Sequence, residues 1–115
     1  MGIVENGTIQ ELWQEIENKL SKDKKPYSKM KGTYQIQITD ENATFQLSFD
    51  DGGFSIKEDA SGNSDCTLKM KSGVFRKFLV GNLNSMTAFM TGKLKVDGNI
   101  TLALKLENLL KQYQF

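Results

Sequence analysis

The residues able to do chemistry are few, and what is missing excludes more than what is present allows. The chain contains no histidine and a single cysteine. Without imidazole there is no Ser-His-Asp or Cys-His nucleophile and no histidine-bearing metal site. Cys66 stands at the start of a strand pattern, in phase with Leu68 and Met70, the position of a small buried hydrophobe rather than of a nucleophile. Ser21-x-x-Lys24 and Ser28-x-x-Lys31 have the serine–lysine spacing of penicillin-recognising enzymes, but no Lys-Thr-Gly companion exists. Asp59, Ser61, Asn63 and Asp65 alternate oxygens like the opening of a calcium loop. Ser64, however, stands where that loop requires glycine, and Met70 where its bidentate glutamate belongs. Gly52-Gly53 lacks the remainder of any phosphate-cradling pattern. The expectation is a protein with no catalytic group, no metal and no cofactor.

What remains is a contrast of charge and grease. Between Cys66 and Val96 lie six cations (Lys69, Lys71, Arg76, Lys77, Lys93 and Lys95) and no carboxylate, although the whole chain has a net charge of only +1. The same stretch carries Met70, Phe75, Phe78, Leu79, Leu83, Met86, Phe89 and Met90. One reading is a solvated outer face over an ordinary core. The other is a cavity for a ligand that is apolar along its length and anionic at one end, such as a fatty acyl thioester. Met86 and Met90 are adaptable residues suited to irregular apolar guests, and Gly81 and Gly92 bracket a short segment able to shift. Nucleic acid fits poorly, because the aromatic residues fall in phase with a core rather than interleaving exposed with the cations.

The elements that must position this segment are legible from their punctuation. Thr8-Ile9-Gln10-Glu11 forms a capping box, and Ile9, Leu12, Trp13, Ile16 and Leu20 make one helical stripe behind it. Lys22, Lys24 and Lys25 suit the helix C-terminus, and Pro26 stops it. Alternating runs then predict strands at Tyr34–Ile38, Phe45–Phe49, Phe54–Ile56 and Cys66–Met70. Asp40-Glu41-Asn42 turns the chain after the first, Asp50-Asp51-Gly52-Gly53 makes a hairpin after the second, and Glu58–Asp65 is a polar loop before the fourth. Ser72 caps a helix with Val74, Phe75, Phe78 and Leu79 on its apolar side, ending at Gly81. A short helix follows near Ser85–Met90, then a fifth strand at Leu94–Val96. A last helix, capped by Asn99, shows a stripe of Ala103, Leu106, Leu110 and Tyr113, broadened by Leu102 and Leu109. The order is helix, antiparallel meander, helix, strand, helix: an α+β arrangement with helices over one sheet face.

At 115 residues the chain is expected to form one domain, residues 1–115, large enough for a core without staples. A lone cysteine fits a reducing compartment. No apolar run is long enough to span a bilayer, and the polar first ten residues do not read as a secretory signal. The Asn-x-Thr triplets at Asn6, Asn42 and Asn99 are then chance matches, and Met1-Gly2 lacks the Ser or Thr that myristoylation wants at position 6, which is Asn. The expected location is cytoplasmic.

Asp65-Cys66-Thr67-Leu68-Lys69-Met70, Gly81-Asn82-Leu83-Asn84, and Ala88 through Asn99 with its Gly-Lys-Leu-Lys-x-x-Gly-Asn core resemble the sterol carrier protein 2 family. Leu102, Ala103, Lys105, Leu106 and Leu109 match that family's terminal helix. The resemblance implies a five-stranded, mainly antiparallel sheet covered by helices on one side and enclosing a hydrophobic tunnel. It implies binding and transfer of fatty acids, fatty acyl-CoA, phospholipids or sterol-like molecules without catalysis. By resemblance the tunnel is lined by Phe75, Phe78 and Leu79, by Leu83, Met86, Phe89 and Met90, and by Leu102, Leu106 and Leu109. Arg76, Lys77, Lys93 and Lys95 are then the contacts for an anionic head group or an anionic membrane surface. The chain ends Gln112-Tyr113-Gln114-Phe115, without the peroxisomal tripeptide of many eukaryotic members, which favours a free-standing cytosolic module, a monomer or weak dimer. The alternative is an accessory domain presenting a hydrophobic substrate, such as a quinone precursor, to partner enzymes.

Overall fold

Residues 6–58, 62–113 and 115 are described by the structure, a computed structural model. The Asp59–Asp65 loop is therefore only partly covered, and Met1-Gly2 lies outside the described residues.

The first helix, α1 (Ile9–Lys22), starts where its capping box says it should. Thr8 Oγ1 accepts from the Glu11 amide at 3.1 Å, and Glu11 Oε1 accepts from the Thr8 amide at 2.8 Å. Ile9, Leu12, Trp13, Ile16 and Leu20 are all buried. A 3-10 turn with Pro26 follows at Lys25–Tyr27. The Tyr27 hydroxyl donates to the Leu20 carbonyl and the Tyr113 hydroxyl to that of Asp23, so two phenols occupy carbonyls at the end of α1 that no helical amide can reach.

Five strands follow as β1 (Gly32–Ile38), β2 (Ala43–Asp50), β3 (Gly53–Glu58), β4 (Cys66–Met70) and β5 (Leu94–Gly98), in the spatial order β3-β2-β1-β4-β5. The β2–β3 turn places Asp51 at φ 49° and Gly52 at φ 79°, the pair of left-handed residues that a two-residue hairpin matched to strand twist requires. The register stacks Tyr34, Leu47 and Cys66 in one row and Ile36, Phe45 and Leu68 in the next. These side chains are buried, while Thr33, Gln35, Gln37, Thr44, Gln46 and Ser48 make up the opposite, polar face. One apolar face and one polar face is what period-two alternation demands.

The sheet departs from the expected meander in one respect. β1, β2 and β3 are antiparallel neighbours, but β4 returns to lie beside β1 and pairs with it in parallel, Tyr34 opposite Cys66 and Ile38 opposite Met70. Alternation identifies a strand without naming its neighbour; here the three strictly alternating strands, β2, β1 and β4, occupy the middle of the sheet, with β1 at its centre. β5 then closes the edge antiparallel to β4. The approach of β5 to β4 is so tight at Gly98 that a Cβ there would stand 2.8 Å from the Asp65 carbonyl oxygen. A glycine is needed for that contact and for its φ of 112°.

Helices α2 (Ser72–Leu79), α3 (Ser85–Met90) and α4 (Ile100–Lys111) join α1 over the apolar face. Trp13 of α1 stacks between Phe45 of β2, with centroids 4.7 Å apart, and Phe75 of α2, at 5.4 Å, tying two helices and the sheet into one column. Asn99 caps α4 as expected, accepting from the Thr101 amide at 2.9 Å, and Gly81 takes the left-handed conformation after α2. The start of α2 differs. Lys71, not Ser72, occupies the cap position and offers no side-chain bond, and Ser72 is already helical. The capping carboxylate comes instead from the β1–β2 turn: Asp40 accepts from the Ser72 amide and from the Ser72 hydroxyl, both at 2.8 Å. A carboxylate at a helix N-terminus meets unpaired amides and the positive end of the dipole.

The Ser72 amide, then its hydroxyl, holds the Asp40 carboxyl below its ordinary 3.8. A depressed carboxyl contributes stability above that ordinary value and loses it as pH falls through the lower folded value. Asp40→Ala should therefore destabilise the protein by about 1 kcal/mol at neutral pH, by analogy with lost helix caps. In acid below the folded pKa of Asp40 that difference should shrink. Urea titrations of both proteins at neutral and acid pH check it.

Candidate functional site

The C-terminal ends of β1 and β4 and the start of β5 meet the first turn of α2 at one end of the sheet. There a cleft of about 820 Å³ opens to solvent, within the size range of small-molecule sites. Met70, Val74 and Leu83 supply its apolar surface, and Lys69, Lys71, Lys77, Lys93 and Lys95 its rim. Asp40 is the one carboxylate among its lining residues, and it is already engaged by Ser72.

The register adds a second electrostatic fact. Lys69 of β4 and Lys95 of β5 stand directly opposite each other in the antiparallel pair, so both side chains leave the same face. Like charges in that arrangement are destabilising, by up to about 1 kcal/mol. Both lysines stand in the row of Gln37, on the polar side, at the end of the sheet where Lys71, Lys77 and Lys93 also line the cleft.

The expected contacts are distributed unevenly. Lys77, Lys93 and Lys95 do reach the cleft. Arg76 does not line it: its Nη2 donates to the Gly7 carbonyl at 2.8 Å, fastening α2 to the chain before α1. Adjacent residues on a helix point about 100° apart, which is why Arg76 and Lys77 part company. Lys69 and Lys71 complete the cationic rim without having been assigned to it. Their strand alternation with Cys66, Leu68 and Met70 was the available signal.

The apolar set divides the same way. Phe75, Phe78, Leu79, Leu106 and Leu109 are buried between helices and sheet, and Leu83 and Leu102 are half-buried. Leu83 borders the cleft, and Leu102 borders a second cavity, of about 450 Å³, at the other end of β1. Met86, Phe89 and Met90 instead stand on the outer side of α3, with exposures of 40%, 41% and 78%. The inner side of that helix is made by Ser85 and Ala88. Only small residues fit there, because α3 is drawn onto α4 by Glu107, whose Oε1 accepts from the Ser85 amide at 3.0 Å. Burial opposes the Glu107 charge, but Lys111, 2.7 Å away, and Ser85 outweigh it and lower its pKa. Neither Ser85 nor Glu107 was singled out from the sequence; the i,i+4 spacing of Glu107 and Lys111 was the clue.

Two further polar groups bear on chemistry. Cys66 is buried, its thiol is pushed up mainly by that burial, and its Sγ lies 3.7 Å from the Asn99 carbonyl, so it is a core residue and a poor nucleophile. Tyr34 borders the second cavity beside Lys25, Lys29, Lys31 and Lys105. Its buried hydroxyl has no hydrogen-bond partner among the described residues, and burial above all raises its pKa to about 12, keeping it a proton donor. The described residues contain no cluster of metal-ligating side chains, and no helix among them is long and apolar enough to cross a membrane.

A one-sided α+β sheet with a cationic cleft over apolar flooring defines a small hydrophobic-ligand module. Residues 13–111 match the SCP-2 sterol transfer family, and the chain belongs to that family. It is 32% identical over 106 residues to sterol carrier protein 2 of Homo sapiens, covering 88% of this chain and 19% of that protein. The chain thus spans about a fifth of that relative's length. Among solved structures it is similar to the UbiJ-SCP2 ubiquinone synthesis protein, at a TM-score of 0.72 and 18% identity over 88% of this chain and 90% of the other. It is also similar to Sterol Carrier Protein-2 from Aedes aegypti in complex with C16 fatty acid (palmitate), at a TM-score of 0.69 and 19% identity over 87% and 94% of the two chains. At such identities these two likenesses establish the shared fold.

The opposed lysines give a direct expectation. Lys95→Gln should raise the stability of the ligand-free protein by roughly 0.2–1 kcal/mol while weakening its hold on anionic amphiphiles. Thermal unfolding and fatty-acid titration of the variant, read together, check both halves.

Proposed function

We propose that the protein binds and transfers lipids without transforming them, taking fatty acids and fatty acyl-CoA in preference to neutral sterols. The observation that carries this reading is the cleft itself, five lysines around Met70, Val74 and Leu83, with a like-charge pair built into its wall. The anionic end of the guest sits among the lysines. Its chain runs inward past Leu83 toward the layer walled by Phe75, Phe78, Leu79, Leu106 and Leu109, with Leu102 at the far end; that layer opens around the chain into a tunnel. Membership of a sterol transfer family supports carriage, and the Aedes aegypti protein of the same fold is described as bound to palmitate. The reading places the protein in the cytoplasm as a monomer or weak dimer.

The energetics suffice. A sixteen-carbon chain gains about 12 kcal/mol gross at ~0.8 kcal/mol per buried methylene. Losses of translational freedom and side-chain ordering of about 4 kcal/mol leave about 8 kcal/mol, a micromolar affinity. The lysines contribute orientation and encounter rate more than affinity.

A second reading is favoured by the fold shared with a ubiquinone synthesis protein: an accessory role, holding a hydrophobic substrate for partner enzymes. Stable enzymes co-purifying with the chain would support it, whereas a monodisperse protein carrying extracted lipid supports simple carriage.

Delipidated protein titrated with a fluorescent fatty acid or acyl-CoA should show saturable binding at micromolar concentrations. Lack of saturation below ~100 μM would contradict the proposal, since it leaves less than half of the expected gross gain.

A further inference from the structure

The second cavity, of about 450 Å³, stands at the opposite end of β1 from the cleft and repeats its chemistry. Lys25, Lys29, Lys31 and Lys105 surround it, Met30 and Leu102 give it apolar surface, and no carboxylate is among its lining residues. Tyr34 forms part of its wall, 1% exposed, with a hydroxyl that has no hydrogen-bond partner among the described residues. A buried donor left without an acceptor is costly and uncommon, and it calls for a group that the protein itself does not supply. Burial above all raises the Tyr34 pKa to about 12, so at neutral pH the hydroxyl keeps its proton and can donate it to an acceptor.

The sheet joins the two sites. Parallel pairing sets Tyr34 beside Cys66, Ile36 beside Leu68 and Ile38 beside Met70, all of them buried. An apolar track therefore runs from Tyr34 at the second cavity to Met70 at the cleft. The seven residues of β1 rise about 3.3 Å each, which sets the two mouths roughly 23 Å apart, about the reach of an extended chain of sixteen carbons with a carboxylate at both ends.

We infer that the second cavity receives the far end of a two-headed guest, a long-chain α,ω-dicarboxylic acid, with one carboxylate among the cleft lysines and the other at Lys31, Lys105 and the Tyr34 hydroxyl. Charge decides the class. Four lysines without a lining carboxylate favour an anion at this mouth over a neutral group. A fatty acid with its head in the cleft leaves them and the Tyr34 hydroxyl unanswered; a diacid answers both ends at once. The inference rests on the carrier reading, in which the layer between helices and sheet opens around the chain, and it names a ligand class for that same site.

Calorimetric titration of delipidated protein with palmitate, hexadecanedioate and the monomethyl ester of hexadecanedioate tests it. The diacid should bind at least as tightly as palmitate, although it is far more soluble in water. It should bind about tenfold tighter than its monomethyl ester, which lacks only one charge. Lys31→Gln with Lys105→Gln should weaken the diacid by about tenfold, and Tyr34→Phe, which keeps the ring, by about threefold. Palmitate affinity should stay within about twofold in both variants. A diacid bound more weakly than palmitate, or no better than its ester, would overturn the inference. So would variants that leave the diacid unaffected, or that weaken palmitate equally, since the cavity would then hold the head of a single-headed ligand. Saturable palmitate uptake beside a rejected diacid leaves carriage standing and removes the two-headed guest, whereas uptake of neither acid removes both.

Discussion

The structure depends on a single asymmetry: one face of the sheet is apolar and must be covered, and the other is polar and need not be. Tyr34, Ile36, Ile38, Phe45, Leu47, Phe49, Cys66, Leu68 and Met70 all fall on the covered face and are buried there. At roughly 1.5–3 kcal/mol for each large side chain removed from water, that row of contacts holds four helices in place. The Phe45–Trp13–Phe75 stack, the two tyrosine hydroxyls at the end of α1 and the Asp40–Ser72 link act as fixings on this cover. Among the described residues a cavity opens at each end of β1, and both are furnished with lysines.

That arrangement explains why a chain with almost no net charge has so uneven a surface. A binding site for an amphiphile needs apolar depth and an ionic rim, and the rim has a cost. Lys69 and Lys95 face each other across β4 and β5, where a neutral pair would give a more stable sheet. Residues that weaken the resting fold and line a cleft are candidates for function, and here the same two lysines do both.

Much of this was legible in the sequence because it depends on local rules. The Thr8–Glu11 box, the Asp51-Gly52 turn, the Asn99 cap and the burial of Cys66 each follow from a few neighbouring residues. What was not legible depends on distance or on short elements. No alternation pattern tells β4 to lie parallel to β1, because pairing partners are set by which faces remain to be covered. The sense of α3 was misjudged by size: in six residues periodicity is weak, and it was Glu107, more than twenty positions on, that drew Ser85 and Ala88 inward and turned Met86, Phe89 and Met90 out. Charge alone groups Arg76 with Lys77, yet its bond to the Gly7 carbonyl joins it to a segment that no local pattern places nearby.

Whether an acyl chain enters between helices and sheet, with its charged end at the five lysines, can be read from paramagnetic broadening. Two spin-labelled stearates, one carrying the nitroxide near its carboxylate and one near its methyl end, are added in turn to isotope-labelled protein, and amide signal loss is mapped by nuclear magnetic resonance. With the chain seated in this way, the first label should broaden Lys69, Lys71, Lys93 and Lys95, and the second Leu68, Phe78 and Leu106. Broadening by both labels confined to the polar face at Gln35, Gln37 and Gln46, with the buried layer untouched, would contradict it.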